Sequence, residues 1–319
     1  MPQVDPPRGE APFPEILVEN TNLAIKSESK KMQCGYVKSI GLPEPIAKTR
    51  KIFGAIMQDP VGLTDSVWLI ENFQKNWFVE EYASIKDLQS KRLRRKIKLP
   101  YYFGGTGHAV YNNSLYFNKF NSTIIVRYDL SKQSVINDRN LPGAVAGNLA
   151  SYSWAGYTDF DFSTDEEGLW LIYSTYDNGL DIVVSKLDPV ELTPLENDEE
   201  NNHSHRANRH RVFRTYKTNW KKVWSANAFT ACGVLYTVQK YDQKNTILNF
   251  VYDTHRKRSK HVKIPFVNRF KFLSSLNYNP KTRQLLAWDK GHLVKYEVSF
   301  YEPDDQAYFE NDFQDDSGF

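Results

Sequence analysis

One pattern of apolar and polar positions recurs along the chain: an aliphatic–aromatic pair, a short polar turn, then a second strand that often ends in Asp. It reads SVWLIENFQKNWFVEEY from Ser66, SLYFNKFNSTIIVRYDL from Ser114 and GLWLIYSTYDNGLDIVVSKLD from Gly168. It returns as VLYTVQKYDQKNTILNFVYD from Val234 and LLAWDKGHLVKYEVSF from Leu285. Val, Ile, Tyr, Phe and Trp in the arms and Asn, Asp, Gly or Lys in the turns are the composition of β-hairpins. The copies start about 50 residues apart, which leaves each hairpin room for two further strands. A four-stranded sheet cannot bury both faces alone, but sheets arranged radially cover one another. The pattern therefore predicts an all-β, five-bladed β-propeller. The other all-β arrangement, a large sandwich, has no reason to show this period.

The repeat also points to an axis. Eight residues before the first aliphatic of each copy stand Asp59, Gly107, Asp161, Asn227 and Asn277. Equivalent positions on innermost strands converge on the propeller axis. Oxygen-bearing side chains there suit a hard cation such as Ca²⁺, or simply line a water-filled channel. Asp161 lies in YSWAGYTDFDFSTDEEGLWLIY (152–173), where Asp159, Asp161, Asp165, Glu166 and Glu167 sit among aromatics. Alternation puts Asp159 and Asp161 on one strand face, so that Asp159 supports Asp161, and leaves Asp165, Glu166 and Glu167 to the turn before Gly168.

Composition sets limits on this picture. The 319 residues are 40% hydrophobic and 14% aromatic, enough for a sizeable core. A net charge of +3 favours neither nucleic acid nor a membrane surface in bulk. No apolar run reaches the roughly 18–20 residues of a membrane span. Residues 1–31 are polar and Pro-rich and show no signal peptide, so a secreted origin would require an upstream segment, a removed signal or another start. The two cysteines, Cys34 and Cys232, form no zinc motif; the count is consistent with two buried thiols or one long-range disulfide.

YNNSLYFNKFNSTIIVRYDL (111–130), the 152–175 segment, NAFTACGVLYTV (227–238), IPFVNRFKFLSSLNYNP (264–280) and LLAWDKGHLVKYEV (285–298) together resemble the olfactomedin domain over about residues 34–300. The resemblance implies a five-bladed propeller closed by a disulfide between Cys34 and Cys232. It also implies a channel ion bound by the Asp161 carboxylate, the Asn227 side chain and the backbone carbonyls of Ala228 and Leu276. The Phe162 carbonyl would face a neighbouring Na⁺. Where the family commonly has Asp before YNP, this chain has Asn277, whose amide keeps an oxygen ligand for the ion but removes one negative charge. One carboxylate fewer implies one Ca²⁺ held weakly or not at all, and it weakens the case for a Na⁺ that shares both acids. The family further implies extracellular recognition of cell-surface or matrix proteins by a secreted chain or a membrane-anchored ectodomain, with oligomerisation through regions outside the propeller.

The remaining features are read against simpler roles. Asn112, Asn121 and Asn202 begin glycosylation sequons, which matter only in a secreted chain. The basic run KRLRRKIK (91–98) suits a polyanion contact or a solvated face. Residues 196–215, with His203, His205 and His210, read as a flexible surface insert, residues 1–33 as a linker or truncated stalk, and 301–319 as an acidic disordered tail. Asp159, Asp161 and Glu166 offer carboxylates for glycoside hydrolysis. Without a Ser-centred elbow, an HExxH or a phosphate loop, a non-catalytic module is the expectation. An intracellular scaffold with reduced cysteines is the alternative.

Overall fold

The computed structural model describes residues 34–194, 214–302 and 305. The expected stalk, the His-bearing part of the insert, Asn202 and nearly all of the acidic tail lie outside the described residues. Among the described residues no helix is long and apolar enough to cross a membrane.

Two N-terminal strands, β1 (Val37–Ile40) and β2 (Glu44–Lys48), precede a series of four-stranded antiparallel meanders. The first is β3 (Gly54–Gln58), β4 (Val67–Glu71), β5 (Phe78–Tyr82) and β6 (Arg95–Lys98), with a short helix α1 (Ile85–Gln89) between the last two strands. Next come β7 (Phe103–Tyr111), β8 (Ser114–Lys119), β9 (Ile124–Asp129) and β10 (Ser134–Asn140). Then follow β11 (Asp161–Asp165), β12 (Gly168–Ser174), β13 (Asp181–Leu187) and β14 (Thr215–Lys221), and β15 (Asn227–Ala231), β16 (Val234–Val238), β17 (Asn245–Asp253) and β18 (Arg258–Val267). The chain closes with β19 (Leu273–Asn279), β20 (Gln284–Asp289) and β21 (His292–Phe300); β1 and β2 pair with β21 to complete that sheet. The two ends of the described chain are thus joined by backbone hydrogen bonds. The second and third meanders are linked by one parallel pair, Asp161 with Gly107.

Burial follows position in the meander. Strands covered on both faces are continuously buried, as in VWLIE of β4 and NAFTA of β15, and the outer strand β18 alternates. The hydrophobic clusters lie between neighbouring meanders. Met57, Trp68 and Phe117 pack between the first two. Tyr116, Phe162 and Leu171 pack between the second and third, and Trp170, Ile172 and Leu235 between the third and fourth. Phe229, Tyr236 and Tyr278 fill the next gap. Ile56, Leu69, Leu286 and Trp288 pack the last sheet against the first, so the succession closes on itself as a β-propeller. The innermost strands β3, β7, β11, β15 and β19 adjoin in the same cyclic order.

The tight turns into the hairpins follow from residue type. Asn112 and Asn113 both take positive φ (48° and 56°) in the two-residue turn between Tyr111 and Ser114, the conformation in which Asn and Gly are favoured. Cys232 and Gly233 do the same (53° and 72°) between Ala231 and Val234.

Candidate functional site

The inner strands bring together three of the residues expected on the axis. Asp161 opens β11 and Asn227 opens β15; both are buried, and they face partners at the same register, Ile172 and Val238. Gly107 pairs with Asp161, and a Cβ there would lie 2.5 Å from the Asp161 Cα. The glycine is what lets β7 and β11 approach. Asn277 lies deeper, opposite Leu286, and its amide donates to the Ile56 carbonyl at 3.2 Å. At the level of Asp161, β19 presents Ser275, whose hydroxyl is buried without a hydrogen-bond partner.

Asp59 is a correction. It lies beyond the end of β3, where its carboxylate accepts from the backbone N–H groups of Val61 (3.1 Å), Asn112 (3.0 Å) and Asn113 (2.7 Å). The eightfold offset assumed equal turns, but Gln58 pairs with Val67 across a long loop, so the count overshoots the strand. Asp59 therefore cannot restore the charge missing at Asn277.

Two residues not singled out in the sequence complete the site. The Tyr152 hydroxyl donates to Asp161 Oδ2 at 2.7 Å. Lys222, only 1% exposed, donates through Nζ to the Asp159 carbonyl (2.8 Å) and the Ile172 carbonyl (3.1 Å). Its ammonium lies 4.6 Å from the centroid of the Tyr152 ring. Burial pushes the Asp161 carboxyl up to about 6, against the opposing pull of Lys222 and the Tyr152 hydrogen bond. Burial likewise holds Lys222 down to about 8. Above this site the mouth of the channel is roofed by rings: Phe53 lies 4.9 Å from Phe73, 5.1 Å from Phe272 and 5.9 Å from Trp154, and Tyr241 lies 5.1 Å from Phe272. These residues flank the starts of β3, β11, β15 and β19, so those strands all begin at one face. A further buried side chain is His108 on β7, which burial holds neutral, down to about 3, against the opposing effect of the Gly105 backbone.

The other acids of the 152–173 segment are backbone staples. Asp159 accepts from the N–H groups of Asn148 and Ala150, both at 2.8 Å, and so fixes the loop rather than the ion site. Asp165 accepts from Glu167 N, Trp170 Nε1 and Gly233 N. Glu166 accepts from the Tyr278 hydroxyl (2.8 Å) and Cys232 N (2.9 Å). Glu167 pairs with Lys186 (2.9 Å) and His255 (2.6 Å). Each of the last three ties the β11–β12 turn to another strand.

Glu167 yields a pH prediction. Burial alone would raise its carboxyl, but the His255 and Lys186 partners hold it down to about 2. A depressed acid contributes stability above its unfolded value near 4.5 that is lost as pH falls toward 2. His255 is raised, so its contribution is present below about 6.5 and fades above it. The pair is complete between these limits. Melting followed from pH 6 to 3 is expected to fall less steeply in Glu167→Gln than in the parent, and parallel curves would refute this.

Cys34 and Cys232 are brought together as expected, but as thiols rather than as a disulfide. Their sulfurs and a Glu166 oxygen lie within 4.8 Å of one another. The hydrogen bond with Cys34, burial and the nearby Glu166 all push the Cys232 thiol up. Next to them the Tyr36 hydroxyl reaches Asp253, which also pairs with Arg256 (3.1 Å).

Residues 29–303 match the olfactomedin-like domain family. The chain belongs to the olfactomedin-like domain family. It is 35% identical over 301 residues to myocilin of Rattus norvegicus, covering 92% of this chain and 56% of the relative. Myocilin of Oryctolagus cuniculus is 34% identical over 297 residues, at 91% and 57%. The chain thus spans a little over half the length of these curated relatives. Two solved structures superpose only loosely, both at 9% identity. The Myceliophteria thermophila Cps50 (Swd1) beta-propeller domain gives a TM-score of 0.39, covering 77% of this chain and 82% of its own. Myxococcus xanthus glutaminyl cyclase gives 0.44, at 84% and 97%. Neither superposition carries an argument here.

In this olfactomedin-like domain the oxygen donors fit a hard cation in kind. Asp161, Asn227, the orphaned Ser275 hydroxyl and the carbonyls of Phe162, Ala228 and Leu276 sit on three mutually adjoining strands. The charge count is lean, because Asp161 is the one carboxylate among them and Lys222 is already nearby. The basic run 91–98 is largely neutralised within the domain. Arg92 pairs with Asp87 (2.8 Å), Arg94 and Arg95 pair with Glu81 (3.1 and 2.5 Å), and Lys96 pairs with Glu80 (3.0 Å). Asn112 and Asn121 are both exposed and in turns, at positive φ.

Proposed function

We propose that this domain is a non-catalytic, extracellular recognition module: a five-bladed propeller whose loops bind cell-surface or matrix proteins. The observation that carries the reading is the use of its buried acids. Buried Asp165 and half-buried Glu166 hold donors from neighbouring sheets, and buried Asp159 pins the loop that leads into β11, the arrangement of a rigid scaffold that presents loops. Family membership supports the compartment and the recognition role. In an oxidising compartment Cys34 and Cys232 form the closing disulfide, and the exposed sequons at Asn112 and Asn121 carry glycans. Thiol titration of the natively folded chain is expected to find no reactive thiol, whereas two would favour the intracellular scaffold.

In the same reading the channel takes one Ca²⁺, weakly, through Asp161, Asn227 and the carbonyls of Ala228 and Leu276, with no companion Na⁺. Bound calcium would neutralise Asp161 and stiffen the inner strands. Binding to the folded state alone adds RT ln(1 + [L]/Kd) to stability. Millimolar calcium is expected to raise the melting midpoint by a few degrees at most, and Asp161→Asn to remove the response. Equal midpoints in calcium and chelator would eliminate the ion.

A further inference from the structure

The near-neutral total charge hides a basic face. The inner strands begin at one face, so every loop that leads into an inner strand, or joins the even-numbered strands to the next, opens there. Exposed in these loops, or at the strand ends they adjoin, are Lys51, Lys75, Lys98, Lys240, Lys271 and Lys290. Among the described residues none of these six forms an ion pair. The exposed acids they face are few, chiefly Asp177 and Asp242. The opposite face also carries exposed lysines, among them Lys86, Lys91, Lys132 and Lys257, but other bases there are paired with acids, as in Arg92–Asp87 and Arg94–Glu81.

Aromatic surface is concentrated at the same end. The exposed Tyr102, Tyr176 and Trp224 (44%, 64% and 50%) all lie there. Near Tyr102 the aromatic and basic elements combine. Trp77 and Tyr102 stack in parallel at 4.6 Å, the Lys98 ammonium sits 4.4 Å from the Trp77 centroid, and Lys119 sits 4.4 Å from that of Tyr101. Backbone bonds from Leu99 N to Trp77 O (2.7 Å) and from Phe120 N to Tyr102 O (2.9 Å) hold the patch in one place.

We propose that this face binds sulfated glycosaminoglycan chains, with Lys98 and Lys119 beside the Trp77–Tyr102 platform as its anchor. Sugar rings present a flat C–H face that packs on aromatic rings, and sulfates need mobile, unpaired cations. The cations form an arc from the loops of the fourth and last sheets to those of the first and second, which suits a long polyanion better than a compact acidic partner. The choice of sulfated glycan among polyanions rests on the extracellular reading, which thiol titration tests separately. Of the run 91–98 the anchor takes only Lys98, because Arg92, Arg94, Arg95 and Lys96 are paired with Asp87, Glu80 and Glu81.

The test is binding of the full chain to immobilised heparin at roughly physiological salt. Lys98→Glu/Lys119→Glu is expected to weaken binding about tenfold, with affinity falling linearly in log affinity against log salt. Lys98→Gln/Lys119→Gln, which keeps much of the apolar stems, should show a smaller loss in the same direction. Lys91→Glu/Lys132→Glu on the opposite face should stay within about twofold of the parent. Equal losses from both faces, no loss from either, or no heparin binding would overturn the proposal. So would retention by phosphatidylserine vesicles with none by heparin, which would assign the face to a lipid surface, or equal binding of desulfated heparin.

Discussion

Closing the Cys34–Cys232 disulfide is expected to stabilise the domain by about 5 kcal/mol over its reduced form, because the bond would remove loop entropy from an unfolded chain across most of the propeller. The native state has little to rearrange, since both sulfurs already lie within 4.8 Å of one another and of Glu166. The midpoint in the presence of a reductant should fall on the order of 10 °C below that of the oxidised protein, and Cys232→Ser should reproduce the fall without reductant. The reduced protein should nonetheless remain folded. The ring is also closed by β1 and β2 on β21, by the Val37 N–H to the Tyr236 hydroxyl (3.0 Å) and by Tyr36 on Asp253. Identical midpoints with and without reductant would show that no disulfide forms. Loss of all structure on reduction would show that the strand closure is too weak to act alone.

Lys222→Met is expected to cost about 3–5 kcal/mol, the range seen when one partner of a buried charge system is removed. Methionine nearly matches the volume of lysine, so the loss is electrostatic. The carbonyls of Asp159 and Ile172 lose their donor, the Tyr152 ring loses its cation, and Asp161 remains buried without a compensating charge. The deficit should depend on pH. Asp161 is already raised to about 6, so burying its charge costs stability as pH climbs from about 4 through 6. Without Lys222 that cost grows, and the variant should approach the parent on the acid side of this window. In Asp161→Asn/Lys222→Met the uncompensated charge is gone, and the double variant should lose less than the sum of the singles. Additive losses, or a deficit independent of pH, would mean that the two groups do not interact.

Much of this could be read from the residues alone. The hairpin repeat, the turn at Asn121 and the position of Asp161 and Asn227 on inner strands are all local consequences of period and composition. They hold because a strand that buries both faces and a turn that needs positive φ restrict residue type directly. Other features depend on what lies across the fold. Lys221 and Lys222 are neighbours of one kind, yet Lys221 reaches Asp181 at the surface (2.8 Å) while the 3₁₀ turn Lys222–Trp224 carries Lys222 into the channel wall. Asp59 and Asp161 share an offset in the repeat, but a longer turn puts Asp59 on another strand's backbone.

The same division applies to charge. The run 91–98 stands out in the sequence because its bases are adjacent, and the structure neutralises most of them with acids from β5 and α1. Lys51, Lys119, Lys240 and Lys271 are scattered along the chain, and strand direction alone gathers them on one face with Lys98, the last base of that run. Local sequence determines which segments become strands and turns, because those choices are made by a residue and its neighbours. Tertiary structure decides which charges are paired, buried or assembled, because the partners come from strands far apart in the chain and electrostatic energy depends on distance and burial, not on order along it.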